Sequence, residues 1–448
     1  MSIRNVFLRV FAIGVLVLSF GTAAQAAHAA SDLNCTTSAK AVSPTPPPQD
    51  PFYTPPNRIP AGAPGTVIRS RPVCIGDLQV PVPYEAWDVM YLSTGAENAQ
   101  GQPSSFDAVP SVDTALIVEP LTGPTHPLVA YATAEDSDST LKAPSYVMTQ
   151  GNSADNASWQ YPLAHGWEVV VPDYEGPGSA YSAGPLEGHG MLDGIRAAED
   201  FSKTDGLQGI RTQVGLWGYS GGAMATAWAS ELAPGYAPNL KIVGVSEGGV
   251  PADVHDTFDT INNGYLAPGL AFASALGDNA AYPNLIPLSL LNPLGLSLAA
   301  EMRATGNGSY PSGDPQHIQG YTVCGCNPGD LPVQFPSVAE VARTVNPGQH
   351  IPKAPLFIYH DYNDELIPIQ GVERLVQYYC SGGATVEFRV NIGDEHVSNA
   401  VVGYPEAMAY LTERFAGLRP VDTCGLPDNG GVIPPSPVPV VPIPPPLP

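Results

Sequence analysis

Short, almost unbroken apolar runs recur along most of this chain, with longer mixed stretches between them. Trp87-Asp88-Val89-Met90-Tyr91-Leu92 and Thr114-Ala115-Leu116-Ile117-Val118 read as strands. The segment from Gly95 to Ser105 is rich in turn formers, which predicts that these two strands pair antiparallel. Further strand-like runs follow at Leu128-Val129-Ala130-Tyr131, Trp167-Glu168-Val169-Val170-Val171, Thr212 to Trp217, Ile242-Val243-Gly244-Val245, Leu356-Phe357-Ile358-Tyr359 and Val386-Glu387-Phe388-Arg389-Val390. Helical stretches lie among them: one begins at Met191-Leu192-Asp193-Gly194-Ile195-Arg196-Ala197-Ala198, one follows residue 220, and one runs from Asn399 to Phe415. Parallel strands need crossovers, and helical crossovers cover both faces of a sheet. The alternation therefore predicts an α/β fold with a mostly parallel sheet flanked by helices.

The alternation stops between the runs at 242–245 and 356–359, where roughly a hundred residues intervene, too many for a loop in a compact domain. They include Leu285-Ile286-Pro287-Leu288-Ser289-Leu290-Leu291-Asn292-Pro293-Leu294-Gly295-Leu296, whose leucines are broken by proline and glycine and cannot span a bilayer. This segment reads as an inserted, largely helical cap. It is either the plain core of a helical subdomain or also a lid whose apolar underside lines a substrate pocket. The expected organisation is a leader at 1–29, the first part of the core at 30–250, the cap at 251–350, the second part of the core at 351–426 and a tail at 427–448.

Gly218-Tyr219-Ser220-Gly221-Gly222 lies between a short extended apolar run and a good helix former, Ala223 to Leu232. A serine flanked by glycines at a strand-to-helix turn is a nucleophile elbow, the hallmark of the α/β-hydrolase architecture. Glycines sit there because larger side chains would clash in so tight a turn. The helix that follows aims its partial positive charge at the point where an oxyanion would form. In a chain with 46 glycines the pattern can arise by accident, so its weight comes from the strand before it and the helix after it.

Such a serine needs a base, and the base needs an acid to hold its tautomer; in this architecture the chain order is Ser, acid, His. Five histidines follow Ser220: His255, His317 and His350 fall in or beside the cap, and His360 ends a strand. His396, after the last strand in Asn391-Ile392-Gly393-Asp394-Glu395-His396, is the candidate base, on a loop at the C-terminal edge of the sheet. The acid is expected after the penultimate strand, in His360-Asp361-Tyr362-Asn363-Asp364-Glu365-Leu366-Ile367-Pro368. Asp364 lies far enough past the strand to reach back and is the first choice; Asp361 is second, being the better strand cap, and Glu365 suits a helix start. The first oxyanion donor is the backbone N–H of Gly221. The second is expected near Asp136, in the loop Ala132 to Ser139, where an ionised carboxylate could only accept. The same acidic loop could instead be plain surface or hold calcium. No metal is expected, since no Cys/His grouping has convincing zinc spacing.

Charge narrows the partners. Lys and Arg total 18 against 42 Asp and Glu, a formal net charge of −24, which argues against nucleic acid and anionic membrane surfaces. Neutral, oily substrates remain open. Arg4 and Arg9, the apolar stretch Val10 to Phe20, and the small residues of Ala24-Gln25-Ala26 and Ala27-His28-Ala29 make a secretory signal peptide, with cleavage expected near Ala26 to Ala30. Six cysteines suit an oxidising, extracellular destination. Of the 15 pairings open to six cysteines, Cys35–Cys74 and Cys380–Cys424 are the expected ones, leaving Cys324 and Cys326 as a close pair. The proline-rich end, from about Pro427 to Pro448, predicts an extended tail without a core, and would be the segment to touch a cell wall.

Assembled, these residues resemble the secretory lipase family of the α/β-hydrolases, typified by a fungal lipase A. The resemblance rests on Pro51-Phe52-Tyr53-Thr54-Pro55-Pro56 with Gly65-Thr66-Val67-Ile68-Arg69, on Pro172-Asp173-Tyr174-Glu175-Gly176-Pro177-Gly178 and Leu192-Asp193-Gly194-Ile195-Arg196-Ala197, and on Trp217-Gly218-Tyr219-Ser220-Gly221-Gly222. It continues in Asp136-Ser137 ahead of Pro144-Ser145-Tyr146, in Asn363-Asp364-Glu365-Leu366-Ile367-Pro368 and at His396, so that it covers about residues 50–420. It implies hydrolysis of triacylglycerols or shorter esters without a cofactor, at an oil–water interface or in solution, with Asp136 contributing to the oxyanion site. The loop from Asp136 to Pro144 lacks a cysteine that some members carry, so a tie from that loop to the cap is not expected. Two rivals stay open: a peptidase or acyltransferase with the same triad, and a non-catalytic secreted protein that binds the cell wall through its tail.

Overall fold

The computed structural model describes residues 35–36, 41–76, 82–123, 126–151, 158–201, 206–264, 267–306 and 317–430. The expected signal peptide and residues 431–448 of the tail lie outside the described residues.

Among the described residues the strands form one nine-stranded sheet. They are β1 (Val67–Val73), β2 (Tyr84–Thr94), β3 (Pro110–Pro120), β4 (Leu128–Ala132), β5 (Glu168–Pro172), β6 (Gln213–Tyr219), β7 (Lys241–Gly248), β8 (Leu356–Asp361) and β9 (Val386–Asn391). Their order in space is β1-β2-β3-β5-β4-β6-β7-β8-β9. The predicted antiparallel pair is β2 with β3, in register through Trp87 opposite Ile117. β1 and β5 join that pair antiparallel, and from β5 through β9 every pairing is parallel. Every residue of β4, β5 and β8 is buried, as continuous apolar runs in a sheet covered on both faces should be. Edge strand β9 alternates buried with half-buried positions. One large apolar core packs against each face, the first around Leu216, Trp228 and Ile358, the second around Trp217, Phe357 and Leu411.

Three elements differ from the sequence reading. β1 carries no apolar run: Arg69, Ser70 and Arg71 sit within it. As an edge strand it needs only one buried side, and the Arg71 guanidinium is held by Asp88 at 2.9 Å and Asp50 at 2.6 Å. The helix expected from Met191 begins seven residues earlier, as Gly184–Asp200. Its early glycines look like loop but are a contact face: a Cβ on Gly184 would stand 2.0 Å from the Trp228 indole nitrogen. The last helix is His396–Phe415, not Asn399 onward, and starts with a capping box in which Glu395 and Ser398 bond reciprocally.

The residues expected to form the cap fold into helices Val254–Asn263, Pro268–Ala281, Pro293–Thr305, Leu331–Gln334 and Pro336–Val345. Proline stands at the first position of three of the longer ones, where a missing N–H costs nothing. They share a small core around Phe272, Leu276, Leu298, Met302 and Tyr321. The cysteines pair as Cys35–Cys74, Cys324–Cys326 and Cys380–Cys424. Among the described residues no helix is long and apolar enough to cross a membrane.

Candidate active site

β6 ends at Tyr219 and helix Gly221–Tyr236 begins at once, leaving Ser220 alone at the turn with φ 55° and ψ −123°. A positive φ is rare for a residue with a Cβ and marks a turn held by its surroundings. Those surroundings are backbone: a Cβ on Gly218 would stand 2.2 Å from the Gly222 carbonyl oxygen, and one on Gly222 would stand 2.1 Å from that of Ala132. Ser220 N–H donates to Gly248 O at the end of neighbouring β7. The elbow is thus wedged between β4 and β7.

The Ser220 hydroxyl lies 2.8 Å from His396 Nε2, and His396 Nδ1 lies 2.7 Å from Asp364 Oδ2. With Nδ1–H donating to the carboxylate, Nε2 is left to accept the serine proton. Among the described residues His396 is the histidine hydrogen-bonded to Ser220. It stands in the first turn of the last helix rather than on a loop. There Glu365 accepts its backbone N–H at 3.1 Å and the Tyr219 hydroxyl donates to its carbonyl at 2.7 Å. Asn399 donates to that same hydroxyl.

Asp364 has its carboxyl 1% exposed, and Oδ1 accepts from the backbone N–H groups of Leu366 at 3.0 Å and Ile367 at 2.8 Å. Asp361 is the turn former: its carboxylate accepts from Asn363 N–H at 2.7 Å and Asp394 N–H at 3.2 Å. Glu365 starts no helix; it holds the backbone of His396. His360, passed over in the sequence, is fully buried beneath the acid. Its Nε2–H donates to Ile367 O at 2.9 Å and stands 3.5 Å from Asp364 Oδ2. Its i, i+4 spacing from Asp364 was the available signal.

Electrostatics set the protonation states. Burial pushes the His396 imidazole down, but the hydrogen bond and charge of Asp364, with Asp136 and Glu365 further off, outweigh it and hold its pKa above the ordinary value of 6.5. Burial pushes Asp364 up, but His396 and His360 bring it below the usual carboxylate value, so it is ionised. Burial keeps His360 neutral.

Asp136 lies on the loop after β4 with φ 46°, and its Oδ1 would be 2.3 Å from a Cβ on Gly221. The carboxyl therefore stands directly over the start of the elbow helix. Buried Glu175 and Glu187 and half-buried Glu135 are all pushed well above their ordinary value, first by burial and then by neighbouring carboxylates, Asp136 among them. Among the described residues no group of His, Cys, Asp or Glu could hold a metal ion.

A buried, oriented imidazole between a carboxylate and an exposed-side serine can transfer one proton to and fro, which is the requirement of acyl transfer. The family model for secretory lipases matches residues 141–289 and 335–423. Lipase A of Moesziomyces aphidis is 32% identical over 438 residues, covering 92% of this chain and 89% of its own. A Mycobacterium tuberculosis protein is 33% identical over 394 residues, with 84% of each chain covered, and bears the name probable inactive lipase. The X-ray structure of Candida antarctica lipase A in its closed state superposes with a TM-score of 0.74 at 30% identity, covering 86% of this chain and 90% of that one. The chain belongs to the secretory lipase family and is a carboxylic ester hydrolase with the α/β-hydrolase fold.

Proposed function

We propose that this protein is a secreted lipase or esterase that cleaves triacylglycerols or shorter acyl esters through a covalent acyl-serine. Ser220 Oγ attacks the ester carbonyl while His396 Nε2 takes its proton. The negative charge that develops on the carbonyl oxygen is met by the Gly221 N–H and by a donor at Asp136, a contribution of about 3 kcal/mol per donor. From its side chain Asp136 can donate only as the protonated acid. His396 then returns the proton to the leaving alcohol. Water, activated by the same imidazole, attacks the acyl-serine and releases the carboxylic acid. Asp364 stays ionised throughout and holds the ring. The residues of the cap act as a lid over the acyl group, and the leader directs the chain out of the cell.

The observation that carries this reading is the unbroken relay from Asp364 through His396 to Ser220, at 2.7 and 2.8 Å. A relative named inactive gives weight to a second reading, in which the fold is kept for binding alone. A fluorophosphonate probe separates them. Labelling of the folded protein that is lost in Ser220→Ala but kept when residues 431–448 are removed supports the hydrolase. Folded wild-type protein that takes no label favours the binding protein. Rates on triacylglycerol emulsions, on short soluble esters and on p-nitroanilides then sort lipase from esterase and peptidase.

A further inference from the structure

Two cavities lie end to end beside the elbow. The inner one begins at Gly221 and Met224. The outer one, about 890 Å³ including its mouth, lies among the cap helices and is lined chiefly by apolar side chains such as Phe272 and Leu276. Val254, Phe258 and Ser274 line both, so the two adjoin and together mark out a channel leading away from the nucleophile once those side chains yield. An acyl chain needs a greasy channel of this kind, but this one has a polar edge. Ser182 and Ser274 pair their hydroxyls at 2.6 Å where the two cavities meet. One helical turn beyond Ser274, on the same face of helix Pro268–Ala281, Asp278 lines the outer cavity.

Glu187 lines the inner cavity with a buried Oε2 that lacks a hydrogen-bond partner, and in the outer cavity the unusual member is Asp278. Its Oδ1 is buried with no hydrogen-bond partner. Its neighbour Asn279 has partners at both ends of its amide, donating to Ile286 O at 2.7 Å and accepting from Arg303 at 2.8 Å. Burial, with no opposing cation, pushes the Asp278 carboxyl well above its ordinary value. It therefore holds its proton to higher pH than an ordinary carboxyl, and with that proton it can both donate and accept a hydrogen bond. A plain methylene chain laid against it would leave a buried polar group unsatisfied, which is costly. A chain bearing an oxygen at that depth supplies the missing partner.

We propose that the channel selects acyl chains carrying an oxygen function, a hydroxyl or a keto group, part-way along their length, and that Asp278 is the residue that reads it. This rests on the hydrolase reading above. The hydroxyl's distance from the ester carbonyl decides whether it meets Asp278, so the preference is positional.

The test uses the full-length protein and p-nitrophenyl esters of one saturated fatty acid and of its monohydroxy isomers, the hydroxyl moved one carbon at a time. Wild-type kcat/KM, divided by that of the plain ester, is expected to show one maximum, about tenfold high, against hydroxyl position. Asp278→Leu flattens that maximum, and Asp278→Asn, which can still donate and accept, keeps it. Because each ratio is taken within one variant, a general loss of activity cancels. A flat wild-type profile overturns the proposal without any variant, and so does a maximum that persists in Asp278→Leu. A wild type that cleaves the plain ester with a flat profile leaves the hydrolase reading standing and removes this one. A wild type that cleaves none of the esters removes both.

Discussion

His396 carries two opposed influences, and their balance decides when it can act. Burial and its place in the first turn of a helix both disfavour the imidazolium. Asp364, Asp136 and Glu365 favour it and win, leaving the pKa above 6.5. The base must be neutral to take the serine proton, so activity is present above that pKa and fades as pH falls through it. The acid limb of kcat/KM should therefore titrate above 6.5, and a limb below that value would show that Asp364 does not pair with the ring as described. Asp364→Asn tests the same balance from the other side. It removes the charge and the correct tautomer, so kcat should fall about 10⁴-fold, while the His396 pKa, followed by proton NMR, drops because burial is then opposed only by the weaker influence of Asp136 and Glu365. Asp361→Asn should cost far less, since Asp361 shapes the turn through backbone N–H groups and does not touch the ring. His360 belongs at this scale too: neutral and buried, it fixes the segment that presents Asp364 by bonding to the Ile367 carbonyl.

The elbow works as an element because it is clamped by backbone rather than by side chains. Gly222→Ala would push a methyl group against the Ala132 carbonyl at the end of β4, from which the loop bearing Asp136 departs. Nothing flexible can yield, so overpacking should destabilise the fold by about 1–3 kcal/mol in urea unfolding. Activity should fall further than stability alone explains, because the loop bearing Asp136, proposed to supply the second oxyanion donor, is displaced with β4. Unchanged activity would mean that β4 tolerates the shift. The elbow was legible in the sequence because glycine, serine and the switch from strand to helix are local signals. So were the continuous apolar strands and His396, which chain order picks out, and Asp364, which its distance past the strand favoured over Asp361 and Glu365. What was not legible depends on partners remote in sequence. The arginines of β1 look like loop until Asp50 and Asp88 are brought beside Arg71 and the carbonyls of Pro51 and Phe52 beside Arg69. The glycines that open helix Gly184–Asp200 look like a breaker until Trp228 packs on them. His360 reads as an ordinary strand residue until the turn folds Asp364 back over it. The start of the last helix was missed for another reason: Glu395 caps it where serine, threonine or aspartate is the usual signal.

Among the described residues the dominant electrostatic feature is a set of buried carboxyls that outnumber the cations beside them; Asp88 and Asp193 do have a cation, Arg71 and Arg196, and burial still outweighs it. With 18 Lys and Arg for 42 Asp and Glu, such pairing is scarce. Burial pushes Asp173 and Asp193 up to about 6, Asp88 up to about 7 and Glu247 up to about 8, and lifts Asp113, Glu168 and Glu175 well above their ordinary values. Each group binds its proton more tightly folded than unfolded. Its contribution to stability is therefore complete below the unfolded value of about 4 and is lost as pH rises through the folded one. His189, pushed down to about 4 by burial, acts in the opposite sense, since it must shed a proton to fold and gains stability as pH rises from about 4 to 6.5. Buried His360, also pushed down, acts in the same sense, but these are two groups against many. Self-repulsion of the growing negative charge adds to the carboxyl effect as pH rises. The melting temperature should therefore decline steadily from about pH 5 to about pH 8, although the neutral imidazole that catalysis needs becomes more abundant over the same range. The balance between the two places the best sustained turnover below the pH of highest initial rate. A melting temperature that instead climbs between those values would mean that these carboxyls are ionised and paired inside the fold, and the reading of Asp278 as a neutral hydrogen-bonding acid would lose its electrostatic footing with them.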